Sequence, residues 1–135
     1  MIEKLFGTTT ANLINQSSVP VIAVPANYRA SKLTSILYAS DLSSLEHELK
    51  EVVAVAKPLA ATVELRHFSA PSEPVTDPEI IGMAVQKFTN YPVAVHLQAR
   101  DLSITLTDDI ELTVKATKPS LLLMFTRQNE GLVVI

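Results

Sequence analysis

The chain reads as an α/β domain built on a parallel sheet, and three observations predict this. The run Ser35-Ile-Leu-Tyr-Ala-Ser-Asp41 is apolar without alternation, as strands buried on both faces are. Strand-like runs and amphipathic helical stretches then follow one another in turn, which implies parallel strands joined by right-handed crossovers. Finally, 135 residues of which 47% are hydrophobic suit one domain with a core that needs no covalent staples.

The elements follow in order. Residues 8–18 can form a short helix with Leu13 and Ile14 as apolar contacts. Val19-Pro-Val-Ile-Ala-Val-Pro25 reads as a strand whose prolines place it at an end or edge, because proline has no N–H for the ladder. Residues 26–32 are a polar connector, and residues 35–41 form the next strand. Ser43-x-x-Glu46 is a capping-box pattern that opens a helix with Leu45, Leu49, Val52, Val53, Ala56 and Leu59 at helical spacing, limited by Pro58. Residues 62–68 alternate as a strand, with Val63 and Leu65 on one face.

Asp77-Pro78-Glu79 starts a further helix, with proline at its favoured first position. Ile80, Ile81, Ala84, Val85 and Phe88 give it an apolar face, and Asn90-Tyr91-Pro92 stops it before the strand at residues 93–97. Thr107-Asp108-Asp109 places acids at the positive end of a helix dipole, a position that accounts for both aspartates, and Lys118-Pro119 closes that helix. Ser120-Leu-Leu-Leu-Met-Phe125 is another strand of the two-sided kind, and Leu132-Val-Val-Ile135 ends the chain abruptly. The order is α–β–β–α–β–α–β–α–β, with two strands near the start that no helix separates.

Composition removes several function classes. Without cysteine there are no disulfides, thiolate metal sites or cysteine nucleophiles, which fits a reducing cytoplasm. The formal charge is −3 and no block of like charge occurs, so nothing marks a nucleic-acid or anionic-membrane surface. The longest apolar runs are five residues, far below the roughly 20 of a membrane helix. His47, His67 and His96 lie far apart in the chain and lack metal-ligand spacing. No nucleophile elbow or Walker loop is present, and no acids cluster beyond the adjacent Asp108 and Asp109 that the helix start explains.

Ser35-Ile-Leu-Tyr-Ala-Ser-Asp-Leu-Ser43, with the helix after it and a strand ending Arg66-His67-Phe68, resembles the opening of a universal stress protein domain. Gly7-Thr8, a helix and Val19-Pro-Val-Ile-Ala-Val-Pro25 look like the closing part of such a domain, and residues 120–126 look like its fourth strand. The match covers nearly the whole chain in permuted order. The resemblance implies a three-layer, open, parallel five-stranded sheet of the flavodoxin-like, adenine nucleotide alpha hydrolase-like kind. Residues 1–30 would be the C-terminal helix–strand remnant of a first domain, and residues 33–135 a second domain lacking its own final helix and strand. The N-terminal segment would then supply the fifth strand, within the chain or swapped into a neighbour.

The same resemblance nominates a nucleotide site of Ala39, Asp41, Gly7, Thr8 and Thr126 at the carboxyl ends of the strands. Read from its neighbours alone, Asp41 is a turn or helix-capping aspartate with Ser43 and Ser44. The family's phosphate loop needs glycines so that backbone N–H groups come close, yet Phe125 and Gln128 stand at the first two of them, which argues against ATP. His67 either lines this cleft or is a hydrogen-bonded histidine of the interior. Val21, Ile22, Ala23 and Val24 are expected at an interface, since an apolar edge templates pairing, or else they complete the local sheet.

The expected function is therefore a non-enzymatic, cytoplasmic stress-response module that acts through self-association, as a homodimer or a domain-swapped assembly. It would need no cofactor and no nucleic-acid or membrane partner. The alternatives are an ATP- or AMP-binding regulatory domain with an atypical phosphate loop, and a hydrolase or transferase on the same fold.

Overall fold

The computed structural model describes residues 21–22, 32–125 and 132–134. The helix expected over residues 8–18 lies outside them, as do Gly7, Thr8, Ala23, Val24, Thr126, Gln128 and Gly131. The strands are β1 (Val21–Ile22), β2 (Ser35–Ala39), β3 (Thr62–Ser69), β4 (Val93–Ala99), β5 (Leu121–Phe125) and β6 (Leu132–Val134). The helices are α1 (Leu45–Leu59), α2 (Pro78–Phe88) and α3 (Leu106–Thr117).

One sheet holds all six strands in the order β1-β6-β5-β2-β3-β4. The block β5-β2-β3-β4 is parallel throughout, with Leu37 opposite Glu64 on one side and Leu122 on the other. This is the α/β, Rossmann-like arrangement that the alternation of elements predicts. The expected five-stranded, all-parallel sheet is not formed. β6 pairs antiparallel with β5, Phe125 opposite Leu132, and so occupies the place beside β5 reserved for the N-terminal segment. β1 lies one position further out, parallel to β6 through Val21 with Val133 and Ile22 with Val134. The reason is length: only six residues separate β5 from β6, enough to reverse the chain but too few for a helical crossover, which takes a dozen or more.

Helices cover both faces of the parallel block. On one, Leu49, Val52 and Ala56 of α1 and Val85 of α2 pack on Ile36, Tyr38, Val63, Leu65 and Leu123. On the other, Ile110 of α3 packs on Leu37, Phe68, Leu122 and Met124. Each fully buried side chain of this size contributes about 1.5–3 kcal/mol of transfer free energy. Leu37 and Tyr38, neighbours in β2, thus serve opposite cores, which is why that strand carries no polar alternation.

Helix ends differ from expectation in instructive ways. The capping box is not built: Ser44 is the N-cap of α1 without a side-chain bond, because the Ser43 hydroxyl donates to Asp41 Oδ1 at 2.7 Å instead. Pro58 lies inside the last turn of α1, and the stop comes two residues later at Ala60, in a left-handed conformation with φ of 51°. At α2 the expected start holds, with Asp77 accepting from the Glu79 N–H at 2.9 Å ahead of Pro78. Ile80 of that helix is 60% exposed rather than inward. α3 begins one residue earlier than Thr107, capped by the Thr105 hydroxyl, which accepts from Asp108 N at 3.1 Å.

Candidate functional site

The carboxyl ends of β2, β3 and β4 carry a set of linked polar contacts around Asp41, His67 and Asp109, and β2 and β5 are the neighbours at which the strand order reverses. In open α/β sheets ligands bind there. Past Ala39 the ladder continues for one residue, with Ser40 N donating to Arg66 O at 3.0 Å. The Ser40 hydroxyl then accepts from Leu42 N at 3.0 Å, which helps to hold Leu42 at a φ of 66°. A bulky residue in that region is unusual and costs energy. It turns the chain sharply from the strand into α1.

Asp41 stands exposed at this corner, where the resemblance places a nucleotide contact. Its Oδ1 accepts from Ser43 N at 2.9 Å and from the Ser43 hydroxyl, the local turn that an aspartate two residues before a serine builds. The same turn recurs past β4. Asp101 Oδ1 accepts from Ser103 N at 2.9 Å and from Ser103 Oγ at 2.6 Å, and these bonds hold the Asp101 carboxyl below the usual carboxylate range.

His67, near the end of β3, is 8% exposed, and both ring nitrogens are engaged. Nδ1 lies 2.8 Å from the Ser40 carbonyl and Nε2 2.8 Å from Glu73 Oε2. A carbonyl can only accept, so Nδ1 carries the hydrogen, and the Nε2 contact is shared with the Glu73 carboxylate. Glu73 Oε1 accepts in turn from Ala70 N at 3.2 Å. The Glu73 carboxyl is held below its ordinary value, chiefly by the hydrogen bond from His67 and then by the Ala70 N–H. His67 therefore ties β3 to the end of β2 and to the exposed loop that leads to α2.

Asp109 corrects the reading of the Asp108–Asp109 pair as mere helix-start acids. It is 4% exposed, and its Oδ2 lies 3.5 Å from Arg100 Nε and accepts from Asp101 N at 3.1 Å. That 3.5 Å contact is an ion pair without hydrogen-bond geometry, while Arg100 Nη2 donates to Ile104 O at 3.0 Å. The α3 start is thereby fastened to the end of β4.

On the sheet face away from α1 and α2, Arg66 donates from Nε to Glu64 Oε2 at 3.0 Å and from Nη1 to Gln98 Oε1 at 2.7 Å. His96, more than half exposed, has Nε2 3.8 Å from Glu64 Oε1. Among the described residues no three histidine, aspartate or glutamate side chains converge as metal ligands. No helix of the described residues is long and apolar enough to cross a membrane.

The structure thus brings Ala39, Asp41 and His67 to one end of the sheet. A groove of about 960 Å³ opens at the opposite end, among Ala60, Ala61, Gly82, Tyr91 and Pro92. Among the described residues that line it Lys57 is the one charged residue, and the Tyr91 hydroxyl donates to the Ala61 carbonyl. The chemistry is at the carboxyl end, so the candidate site belongs there. Sequence reasoning missed Glu73 and Arg100 as members. No family model, curated protein or solved structure matches this chain.

Proposed function

We propose that the chain is a universal stress protein-like, non-enzymatic module that works through self-association and does not use an ATP site. One observation supports the part of the reading that concerns nucleotide: the described polar groups at the carboxyl ends of the strands bond to one another. Asp41 is engaged by Ser43, His67 by the Ser40 carbonyl and Glu73, and Asp109 by Arg100 and Asp101 N. A general base needs a hydroxyl or water within reach, and His67 has both nitrogens on other partners. The link from β5 to β6 supports the same reading. A phosphate cradle takes a loop that runs into a helix N-terminus, whereas here the strand turns back into an antiparallel neighbour.

Calorimetric titration with Mg–ATP tests it, alongside sedimentation velocity of the same protein. The expected result is no saturable heat and a concentration-dependent dimer. Saturable binding that Asp41→Ala weakens would overturn this and favour the ATP- or AMP-binding regulatory domain with an atypical phosphate loop.

A further inference from the structure

We infer that the groove at the amino ends of β3 and β4, between the last turns of α1 and α2, is a binding site for a small aliphatic carboxylate. The inference goes beyond the self-association reading and does not depend on it, since the groove lies at the other end of the sheet from Asp41 and His67.

A glycine keeps the groove open. Gly82 sits in the middle of α2 and lines the groove together with Gln86, one turn further on. Glycine weakens a helix interior, so its presence there calls for a reason. Packing supplies none, because a Cβ at Gly82 would meet no atom within 4 Å. What a side chain at this position would occupy is the groove itself. The open volume is about 960 Å³, at the upper end of the roughly 300–1,000 Å³ of small-molecule sites.

The walls are fixed before any ligand arrives. The Tyr91 hydroxyl donates to the Ala61 carbonyl, and the Thr89 hydroxyl accepts from Tyr91 N at 3.0 Å. These bonds pin the turn after α2 to the start of β3, and a preformed site loses less to ordering when it binds. Buried Ala61, Val63 and Val85 form the apolar floor, which suits an aliphatic chain.

Charge identifies the ligand's polar end. Lys57, Gln86 and Asn90 line the groove, and none of these side chains has a hydrogen-bond or ion-pair partner among the described residues. No aspartate or glutamate lines it. One ammonium and two amide groups offer N–H donors with a single positive charge, which a carboxylate complements. An amine would meet the Lys57 charge with nothing to offset it, and a polyphosphate would call for more cations than one. The α1 dipole places negative partial charge at this end, amounting to about half a unit. Its effect is reduced because Ala60 N and Ala61 N donate at 3.1 Å to the Lys57 and Ala56 carbonyls, so the full charge of Lys57 prevails.

The test is calorimetric titration of the full chain with octanoate, and with octylammonium and 1-octanol as probes of the same length. Octanoate should bind saturably, 1-octanol more weakly and octylammonium not at all. Lys57→Gln, a change at an exposed position, should weaken octanoate about tenfold and leave 1-octanol unchanged. Gly82→Leu should abolish binding of octanoate, because its side chain fills the groove, while circular dichroism and the urea midpoint show a fold at least as stable as wild type. That combination separates a blocked site from a damaged one. Absence of saturable octanoate binding overturns the site, as does binding that Gly82→Leu leaves intact. Octylammonium binding as tightly as octanoate, or indifference of octanoate to Lys57→Gln, overturns the carboxylate assignment. None of these outcomes bears on the dimer seen or not seen in sedimentation.

Discussion

The phenol of Tyr38, in the strand at the centre of the parallel block, donates to the Glu48 carboxyl in the helix that follows it. Tyr38 is fully buried, and its ring meets that of Phe125 edge to face with centroids 5.9 Å apart at 75°. One side chain thus joins β2 to α1 by a hydrogen bond and to the end of β5 by ring packing. Buried tyrosines usually find such a partner for the hydroxyl, and the pairing fixes α1 in rotation as well as in distance.

Removing the hydroxyl should therefore be costly. Tyr38→Phe keeps the ring but leaves a buried carboxyl short of one donor, and a loss of about 1–3 kcal/mol is expected in urea unfolding. The phenol's pKa is also pushed far above its ordinary 10.0, first by burial and then by the bond to Glu48. Above pH 10 the unfolded chain releases this proton while the folded chain keeps it, so stability falls with rising pH. The slope from this group reaches about 1.4 kcal/mol per pH unit. Alkaline unfolding of Tyr38→Phe should lack that share of the slope; equal slopes in both proteins would count against the buried bond.

Glu73 makes the opposite case at the acid end. Its carboxyl is held below 4.5, chiefly by His67, so the folded chain keeps it ionised where the unfolded chain takes up a proton. The stability this gives is present above pH 4.5 and is lost as pH falls through the lower folded value. Glu73→Gln should lower the urea midpoint at pH 7, and the gap to wild type should close in acid. The loop between β3 and α2 should also become more open to proteolysis, since Glu73 pins it to His67. A gap that is the same at pH 7 and in strong acid would show that the carboxylate is not the source.

Much of this architecture was legible in the residues, and the exceptions share a cause. β2, α1, α2 and β5 declared themselves by apolar runs, helical spacing and Asp77-Pro78, because burial on a regular element leaves a periodic mark. The reversal of β5 into β6 left none, since three residues hold no period and direction is a matter of link length. The Ser43–Glu46 capping box failed because Asp41, two residues earlier, competes for the same serine. That competition was visible in the repeated Asp-Leu-Ser at residues 41–43 and 101–103, which builds the same turn twice. Glu73 and Arg100 were not legible. Their partners, His67 and Asp109, are reached only once a loop folds back, and nothing local requires that it should.

Two small residues are placed against their conformational preference, and exchanging them should stabilise the fold. Gly82 sits in the middle of α2, where glycine's backbone freedom makes it the weaker choice, and a Cβ there would meet nothing within 4 Å. Gly82→Ala is expected to add about 0.5–1 kcal/mol. Ala60 ends α1 at a φ of 51°, the left-handed region in which a Cβ is penalised, and it is exposed, so little packing is lost with its methyl. Ala60→Gly should add a similar amount, about 0.5–1 kcal/mol, since relief of the Cβ clash outweighs the greater freedom of the unfolded glycine. The sites lie on different helices, so the double variant should be close to the sum in urea unfolding. Because both residues border the same groove, a shortfall would reveal that Gly82 is kept small for the contact of α2 with α1, and destabilisation by Gly82→Ala alone would refute the open space beside it.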